Sequence, residues 1–509
     1  MSEAEFHYGP VWTRVNAPPD VRSWIDRMLT IPNPDQFPPF VSFYNSWDCA
    51  FLTGHLHFIE RAFQLAGVPY VVHNRFQFPF APFDPHARIL STTHHPDFTL
   101  KKFQCSTCRK MVFGVRGGVQ LATGAGKTAS YIASLKFLEQ LYAGPVPSLT
   151  ILTVNNLARQ MHDRMRNAGL DAGILSGGKW NNATHVVGVV NGIYERLQRN
   201  DPAVKELLST RRVLCMDEGH HGQADMCYSV GMACQADFRW TLSATLYANK
   251  INPYAHPGDM RIIGLTGPTL AAIPARFLWQ YGFVAEPTIT FIPMHWPPSW
   301  NRRSMPWRGS GESGGEEGVE WELIVDNDFR NEYWRRLIYW KLAQEPEFTK
   351  FVVLVQRLEH GRILQRMLNR VGINSVCCYG AEKTVEIDRF GDQREMKGNE
   401  DRTLQDFSEG RLRVLIGSQK FDEGQSFPLF TDLILAQAGK GGEANRRVYQ
   451  RVGRGLHSGI KVHVWDMMDQ MHPMPRRQAE DRVAALVNED YPVTINTPPE
   501  CQWAIPGLV

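Results

Sequence analysis

The stretch "GVQLATGAGKTASYIASLKFLEQL", residues 118–141, restricts the fold of this chain more than any other. A short apolar run leads into a loop containing Gly124 and Gly126, and a helix-forming run opens at Lys127. The two glycines let the backbone curl with its N–H groups pointing inward, and the helix start adds the positive end of its dipole. Together they make a nest for phosphate oxygens. Lys127 can reach the outer phosphates of a nucleotide, and the Thr128 hydroxyl suits Mg²⁺. The full spacing G-x-x-x-x-G-K-T would place a glycine at 121, where this chain has Leu121, so only the inner half of the pattern is present.

A phosphate loop of this kind belongs between a parallel strand and a helix, and the rest of the chain agrees. Apolar runs alternate with helical stretches at 118–122, 148–154, 185–190, 211–216 and 239–244, and again at 351–355, 412–417, 431–436 and 461–465. Such alternation predicts two α/β domains, each a parallel sheet with helices on its faces. The expected boundaries are 96–290 and 326–475. Residues 294–322, rich in Pro, Gly, Ser and Glu, read as a linker or surface loop (291–325) between the two. A C-terminal extension covers 476–509. Residues 1–95 read as a small α+β domain. Leu56, Ile59, Phe63 and Leu65 suggest a helix closed by Gly67, and "VPYVVH" then reads as a strand.

At 509 residues the chain is too long for one core. Its hydrophobic fraction of 43% and charged fraction of 21% are ordinary for folded proteins. A formal charge of +3 neither demands nor excludes a nucleic-acid partner, since a basic groove can hide in a balanced total. Cys105 and Cys108 form a lone C-x-x-C without a second pair beside it, which reads as reduced thiols rather than a zinc site. The acidic start "MSEAEFHYGP" lacks the apolar core of a signal peptide, and no run approaches the ~18 apolar residues of a membrane span. The expectation is a cytoplasmic protein.

A phosphate site needs groups that position metal and water. "VLCMDEGHH", 213–221, supplies an apolar strand with Asp217 and Glu218 at its C-terminal end, where ligands sit in open parallel sheets. Asp217 would hold Mg²⁺ and Glu218 would orient or deprotonate the attacking water. An acidic pair after a strand is often only a loop cap, but its place some 90 residues after the phosphate loop favours the catalytic reading.

In their order, these segments resemble the motifs of superfamily 2 DEAD/DEAH-type helicases. "ATGAGKT" is similar to motif I (Thr123, Gly124, Ala125, Gly126, Lys127, Thr128), "DEGH" to motif II with His220, and "LSATL" to motif III with Ser243 and Thr245. "ILTVNNLARQM" is similar to motif Ia, "VLIGSQKFDEGQSFP" to motif V, and "QRVGRGLH" to motif VI. The resemblance spans roughly 97–470 and implies tandem RecA-like P-loop domains. It implies that Gln104 reads adenine, that His220, Ser243 and Thr245 couple the ATP site to the nucleic-acid path, and that Gly424 and Arg451 lie against the nucleotide. It further implies that Gln450 and Arg454 of the second domain reach ATP bound by the first, with Arg454 stabilising the transferring phosphoryl group. Nucleic-acid backbone contacts would come from Asn155, Asn156, Arg159, Gln356, Arg357 and Ser418, and these carry little sequence information. Two positions depart from the family pattern. Gln425 and Ser426 follow Gly424 where an aspartate is usual, and motif VI ends in His457 rather than arginine.

A narrower resemblance is to phage UvsW-type DNA-remodelling helicases, carried by 264–292, 324–334 and the N-terminal 51–72. It implies an ATP- and Mg²⁺-dependent motor on duplex or branched DNA in replication, recombination or repair, probing structure rather than sequence. The expected form is a monomer that can meet replication or recombination proteins. Aromatics of the first domain (Phe6, Tyr8, Trp12, Trp24) could stack on bases, although a small-domain core is the commoner use. The alternatives are an RNA helicase, the motor subunit of a restriction or defence assembly, and a nucleotide-gated binding protein without turnover, against which Glu218 argues.

Overall fold

The computed structural model describes residues 3–33, 37–78, 100–176, 179–181, 183–217, 225–249, 251–294, 320–345, 348–378, 384–387, 393–396, 400–418, 429–437, 461–470, 472–487 and 490–497. The chain divides into two compact units, Met1–Ile273 and Pro274–Val509.

The first unit opens with a five-stranded sheet in the order Tyr44–Asn45, Ala50–Leu52, Trp12–Asn16, Ala4–His7, Tyr70–His73. Helices Pro19–Leu29 and Leu56–Ala66 accompany it. Phe6, Phe51, Phe63, Ile25 and Ile59 form its core. Leu65 is 81% exposed, contrary to the apolar face expected for the second helix. Leu56, Ile59 and Phe63 hold the i, i+3, i+7 spacing and Leu65 falls off it. Phe6 is fully buried, and Trp24 stacks on Phe63 with centroids 5.0 Å apart. Those two aromatics belong to the core rather than to a base-stacking surface, and only Trp12 of the four counts among the exposed large side chains.

The main sheet of this unit runs Lys179–Trp180, Ala172–Ser176, His185–Val189, Ser148–Leu152, Val213–Asp217, Phe238–Ser243, Arg116–Leu121, Thr269–Ile273. The short Lys179–Trp180 strand is antiparallel, and the other seven are parallel. The central strands Ser148–Leu152, His185–Val189 and Phe238–Ser243 are buried at every position, as a sheet covered on both faces requires. The N-terminal sheet docks onto this core. A Cβ at Gly54 would lie 1.9 Å from the Ile263 carbonyl oxygen, so only glycine permits this approach to the helix Pro257–Thr266. Phe58 stacks on Tyr254 at 4.5 Å, and the Arg116 guanidinium donates to the Pro10 carbonyl at 2.6 Å.

The second unit has nine strands in the order Gln393–Met396, Thr384–Ile387, Ser375–Cys378, Val414–Ser418, Phe351–Val355, Asp432–Leu435, His463–Asp469, Thr288–Met294, Val493–Ile495. Thr384–Ile387 pairs antiparallel with Gln393–Met396 on one side and Ser375–Cys378 on the other, and the last seven strands are mutually parallel. Helices Asp328–Gln344, Leu358–Arg370, Glu400–Ser408 and Pro473–Val487 belong to this unit. The result is two sheets of seven parallel strands each, with helices and a small N-terminal α+β region: the two α/β domains expected from the alternation, in the tandem RecA-like arrangement implied by the resemblance.

Candidate functional site

Three adjacent strands of the first sheet bring the candidate groups to one edge. Arg116–Leu121 leads into the phosphate loop, Phe238–Ser243 lies beside it, and Val213–Asp217 lies beside that. Ser243 is level with Gln120, and Asp217 is level with Leu242. The C-terminal ends of all three strands, and so the loop 122–126, Asp217 and Ser243, emerge together.

Gly124 and Gly126 take φ values of 94° and 81°, and Gly126 caps the start of the helix Lys127–Leu141. A Cβ at Gly126 would also meet Gln104 Nε2 at 2.4 Å, so both conformation and space demand glycine. Within the loop, Thr123 is half-buried, Gly124 exposed and Ala125 buried, while Lys127 and Thr128 are half-buried at the helix start. Gln104 is 5% exposed and its amide is engaged at both ends. Its Nε2 donates to the Ala125 carbonyl at 2.8 Å, and its Oε1 accepts from the Lys101 backbone N–H at 2.8 Å. The residue expected to read adenine therefore also holds the phosphate loop from the neighbouring helix Lys102–Gly114. Cys108 of that helix donates to the Ser130 carbonyl at 3.1 Å, and burial pushes its thiol up to about 12, so it serves as packing.

Ser243 and Thr245 close a tight turn. The Ser243 hydroxyl donates to the Thr245 carbonyl at 3.0 Å and accepts from the Thr245 N–H at 3.1 Å. The Thr245 hydroxyl is buried and has no hydrogen-bond partner among the described residues. Downstream, the buried Asp259 carboxylate accepts from the Ala248 and Asn249 N–H groups, both at 2.8 Å. It thus pins the loop leaving Ser243–Thr245 to the helix Pro257–Thr266. Nothing in the spacing of "HPGDM" announces that role. Arg164, also unanticipated, donates from Nη1 to Thr128 Oγ1 at 3.3 Å.

Asn155 and Arg159 are exposed on the helix Asn155–Asn167, with the Asn155 Oδ1 accepting from the Ser176 hydroxyl at 2.5 Å. Asn156 beside them is half-buried. In the second unit Gln356 is exposed just after its strand, and Arg357 lies 3.5 Å from Glu320. Ser418 is level with Val355 on the neighbouring strand, so Gln356 and Ser418 share the C-terminal edge of that sheet. Glu218, His220, Gly424, Ser426, Gln450, Arg451, Arg454 and His457 lie outside the described residues.

Residues 99–248, which include this edge of the first sheet, match the family described as type III restriction enzyme, res subunit. The fold of the chain is similar to a protein described as an HsdR subunit of a type I restriction enzyme from Vibrio vulnificus YJ016, at 15% identity and TM-score 0.53, over 80% of this chain and 70% of that one. It is also similar to Saccharomyces cerevisiae Dbp5 bound to RNA and ADP BeF₃, at 16% identity and TM-score 0.50, over 79% and 95% of the two chains. Bacteriophage T4 UvsW is similar over 98% of this chain and 99% of its own, at 14% identity and TM-score 0.42. No curated protein sequence matches the chain. Among the described residues, no helix is long and apolar enough to cross a membrane.

Proposed function

We propose that this chain is a superfamily 2 motor, an ATP-dependent DNA translocase that remodels duplex or branched DNA, in the manner of the UvsW-type enzymes its motif segments resemble. The observation that carries it is the shared strand edge, where the phosphate loop, Asp217 and the Ser243–Thr245 turn meet. Lys127 neutralises the outer phosphates, and Glu218 orients the attacking water. The Thr128 hydroxyl and Asp217 carboxylate are hard oxygen donors, the set that fits Mg²⁺, which would neutralise charge developing on the phosphates. The motif resemblance assigns Arg454 the role of stabilising the transferring phosphoryl group, and Gln450, Arg451 and Gly424 those of nucleotide contacts. Such an arginine is worth about 10³–10⁵ in rate. His220, Ser243 and Thr245 carry the state of the nucleotide to Asn155, Arg159, Gln356, Arg357 and Ser418 on the nucleic-acid backbone. What supports DNA over RNA is the match of residues 99–248 to a restriction-enzyme family.

The decisive experiment is ATP hydrolysis measured with single-stranded, duplex, forked and four-way DNA and with RNA, using Lys127→Ala as the inactive control. DNA should raise the rate, branched forms most. Stimulation by RNA alone would make the chain an RNA helicase, and no stimulation by either would sink the motor reading. Arg454→Ala should abolish turnover while nucleotide still binds, and His457→Ala should be milder. The match of residues 99–248 also favours a second reading, the motor subunit of a restriction assembly. Co-purification of a nuclease partner with the tagged chain would select it.

A further inference from the structure

The outer face of the N-terminal sheet carries a cluster that the motor does not use. Strands Ala4–His7 and Tyr70–His73 run parallel, with His7 level with His73 and Glu5 level with Val71. Phe6, Tyr70 and Val72 pack toward the core, so alternation along the two strands leaves Glu5, His7 and His73 together on the other face. The two imidazole rings are stacked, with centroids 4.9 Å apart and planes 19° from parallel. Glu5 Oε2 stands 3.9 Å from His7 Nε2, and one donor atom from each of the three side chains lies within 4.8 Å of the others. Two donors on a tetrahedral zinc ion are about 3.4 Å apart, so modest side-chain rotations would close the set on one ion.

Three features favour a metal over a chance grouping. The side chains come from two strands in fixed register, so their separation is held by backbone hydrogen bonds. The Glu5 carboxylate is oriented by Asn16, whose Nδ2 donates to Glu5 Oε2 at 2.9 Å, the outer-sphere support that ligating carboxylates commonly receive. Arg75, two residues past His73, is drawn away into an ion pair with Glu60. Arg14 is the cation a bound ion must tolerate, since it pairs across from His7 on the next strand.

We propose that Glu5, His7 and His73 form a binding site for a divalent first-row transition-metal ion of the zinc class. Two imidazoles and one carboxylate select such ions over Ca²⁺ and Mg²⁺, which prefer all-oxygen shells. Partial exposure of the three leaves coordination positions open to water. The bound ion pins the four-residue edge strand Tyr70–His73 to the N-terminal strand. This inference is independent of the ATP and DNA readings.

The test uses the full chain stripped with a chelator, then titrated with Zn²⁺ by calorimetry and with Co²⁺ by visible absorption. With 17 histidines and nine cysteines in the chain, the variants must localise the ion. One equivalent should bind, and His7→Ala and His73→Ala should each weaken it at least about tenfold, as losing a ligand costs no less than losing an outer-sphere partner. Cys105→Ser should change nothing. Zn²⁺ should also slow amide hydrogen exchange in Tyr70–His73, and this slowing should vanish in both histidine variants. Stoichiometric binding that survives the His7→Ala/His73→Ala double variant, or no binding at about a hundred micromolar metal, overturns the proposal.

Discussion

Arg239 in the first unit and Arg330 in the second are both fully buried, and they are compensated in different ways. Arg239 forms no salt bridge with a carboxylate among the described residues, and Asp237 acts on it only weakly through space. It donates to the carbonyls of Ala236 at 3.1 Å, Leu265 at 3.1 Å, Gly231 at 2.7 Å and Cys234. Several of these lie at the C-terminal ends of the helices Asp225–Ala233 and Pro257–Thr266, where the dipole leaves partial negative charge. Burial lowers its guanidinium to about 10, which keeps it protonated at neutral pH. Arg330 instead pairs with Asp469 at 3.2 Å and donates to the Ala436 carbonyl. Arg482 of the same unit grips Asp466 with two bonds, of 2.8 and 3.0 Å. The first unit gathers helix ends around a cation at the start of the Phe238–Ser243 strand. The second ties its helices to the strand His463–Asp469 through ion pairs that fail if either partner is removed.

The largest expected effect follows from that difference. Asp469→Ala strands the Arg330 guanidinium in a dry interior and should cost about 3–5 kcal/mol. Hydrogen exchange read in the second sheet of the intact chain checks it. Replacing both partners, with Arg330→Met and Asp469→Leu, should recover most of the loss. Arg239→Met should cost less, about 2–3 kcal/mol, because carbonyls at helix ends can relax toward other donors. Its loss should show in the first sheet alone. If Arg239→Met proves worse than Asp469→Ala, the contrast between the two kinds of compensation is wrong.

Acid should separate the units too. Burial lowers His55 in the first unit and His360 and His463 in the second to about 3 each. Above the unfolded value of about 6.5, folded and unfolded forms are both neutral. As the pH falls below it, the unfolded chain takes up protons that the folded chain refuses, so stability drops. The limiting slope is about 1.4 kcal/mol per pH unit for each histidine. With two such residues against one among the described residues, the second unit should soften faster between about pH 6.5 and 5. His360→Gln, which can still donate to Asn331 Oδ1, should flatten its slope. Equal slopes in the two sheets would break the comparison.

The sequence made the interior strands plain because a strand buried on both faces must be continuously apolar. "FVVLV" and "VLCM" could hardly be anything else. Edge strands lack that constraint, and Thr269–Ile273 and Val493–Ile495, both partly exposed, gave no signal. Nor does alternation say which sheet a strand will join. Thr288–Met294 pairs with His463–Asp469, far along the chain. At the candidate site Gly124, Gly126 and Asp217 stood out in the sequence because each sits at the end of an apolar run, where a strand had to stop. The grip of Gln104 on Ala125 and of Asp259 on Ala248 and Asn249 did not, since those bonds join residues brought together only by helix packing.

Asp259 offers the smallest and most informative change. Its two oxygens hold consecutive N–H groups just past the Ser243–Thr245 turn, on the same helix that receives Gly54 of the N-terminal region. Asp259→Asn keeps one acceptor but turns its amide group toward an N–H it cannot accept from. The stability cost should be about 1 kcal/mol. The two bonds of this clamp go to Ala248 and Asn249, past the turn and away from the phosphate loop in sequence, so nucleotide affinity and basal hydrolysis should stay near those of the parent. If the turn relays nucleotide state to nucleic acid, the DNA-stimulated part of the rate should fall by more than the basal part. Steady-state hydrolysis titrated with DNA separates the two. A proportional fall in both rates would mean that Asp259 only supports the fold of the first unit, and that the turn it pins takes no part in coupling.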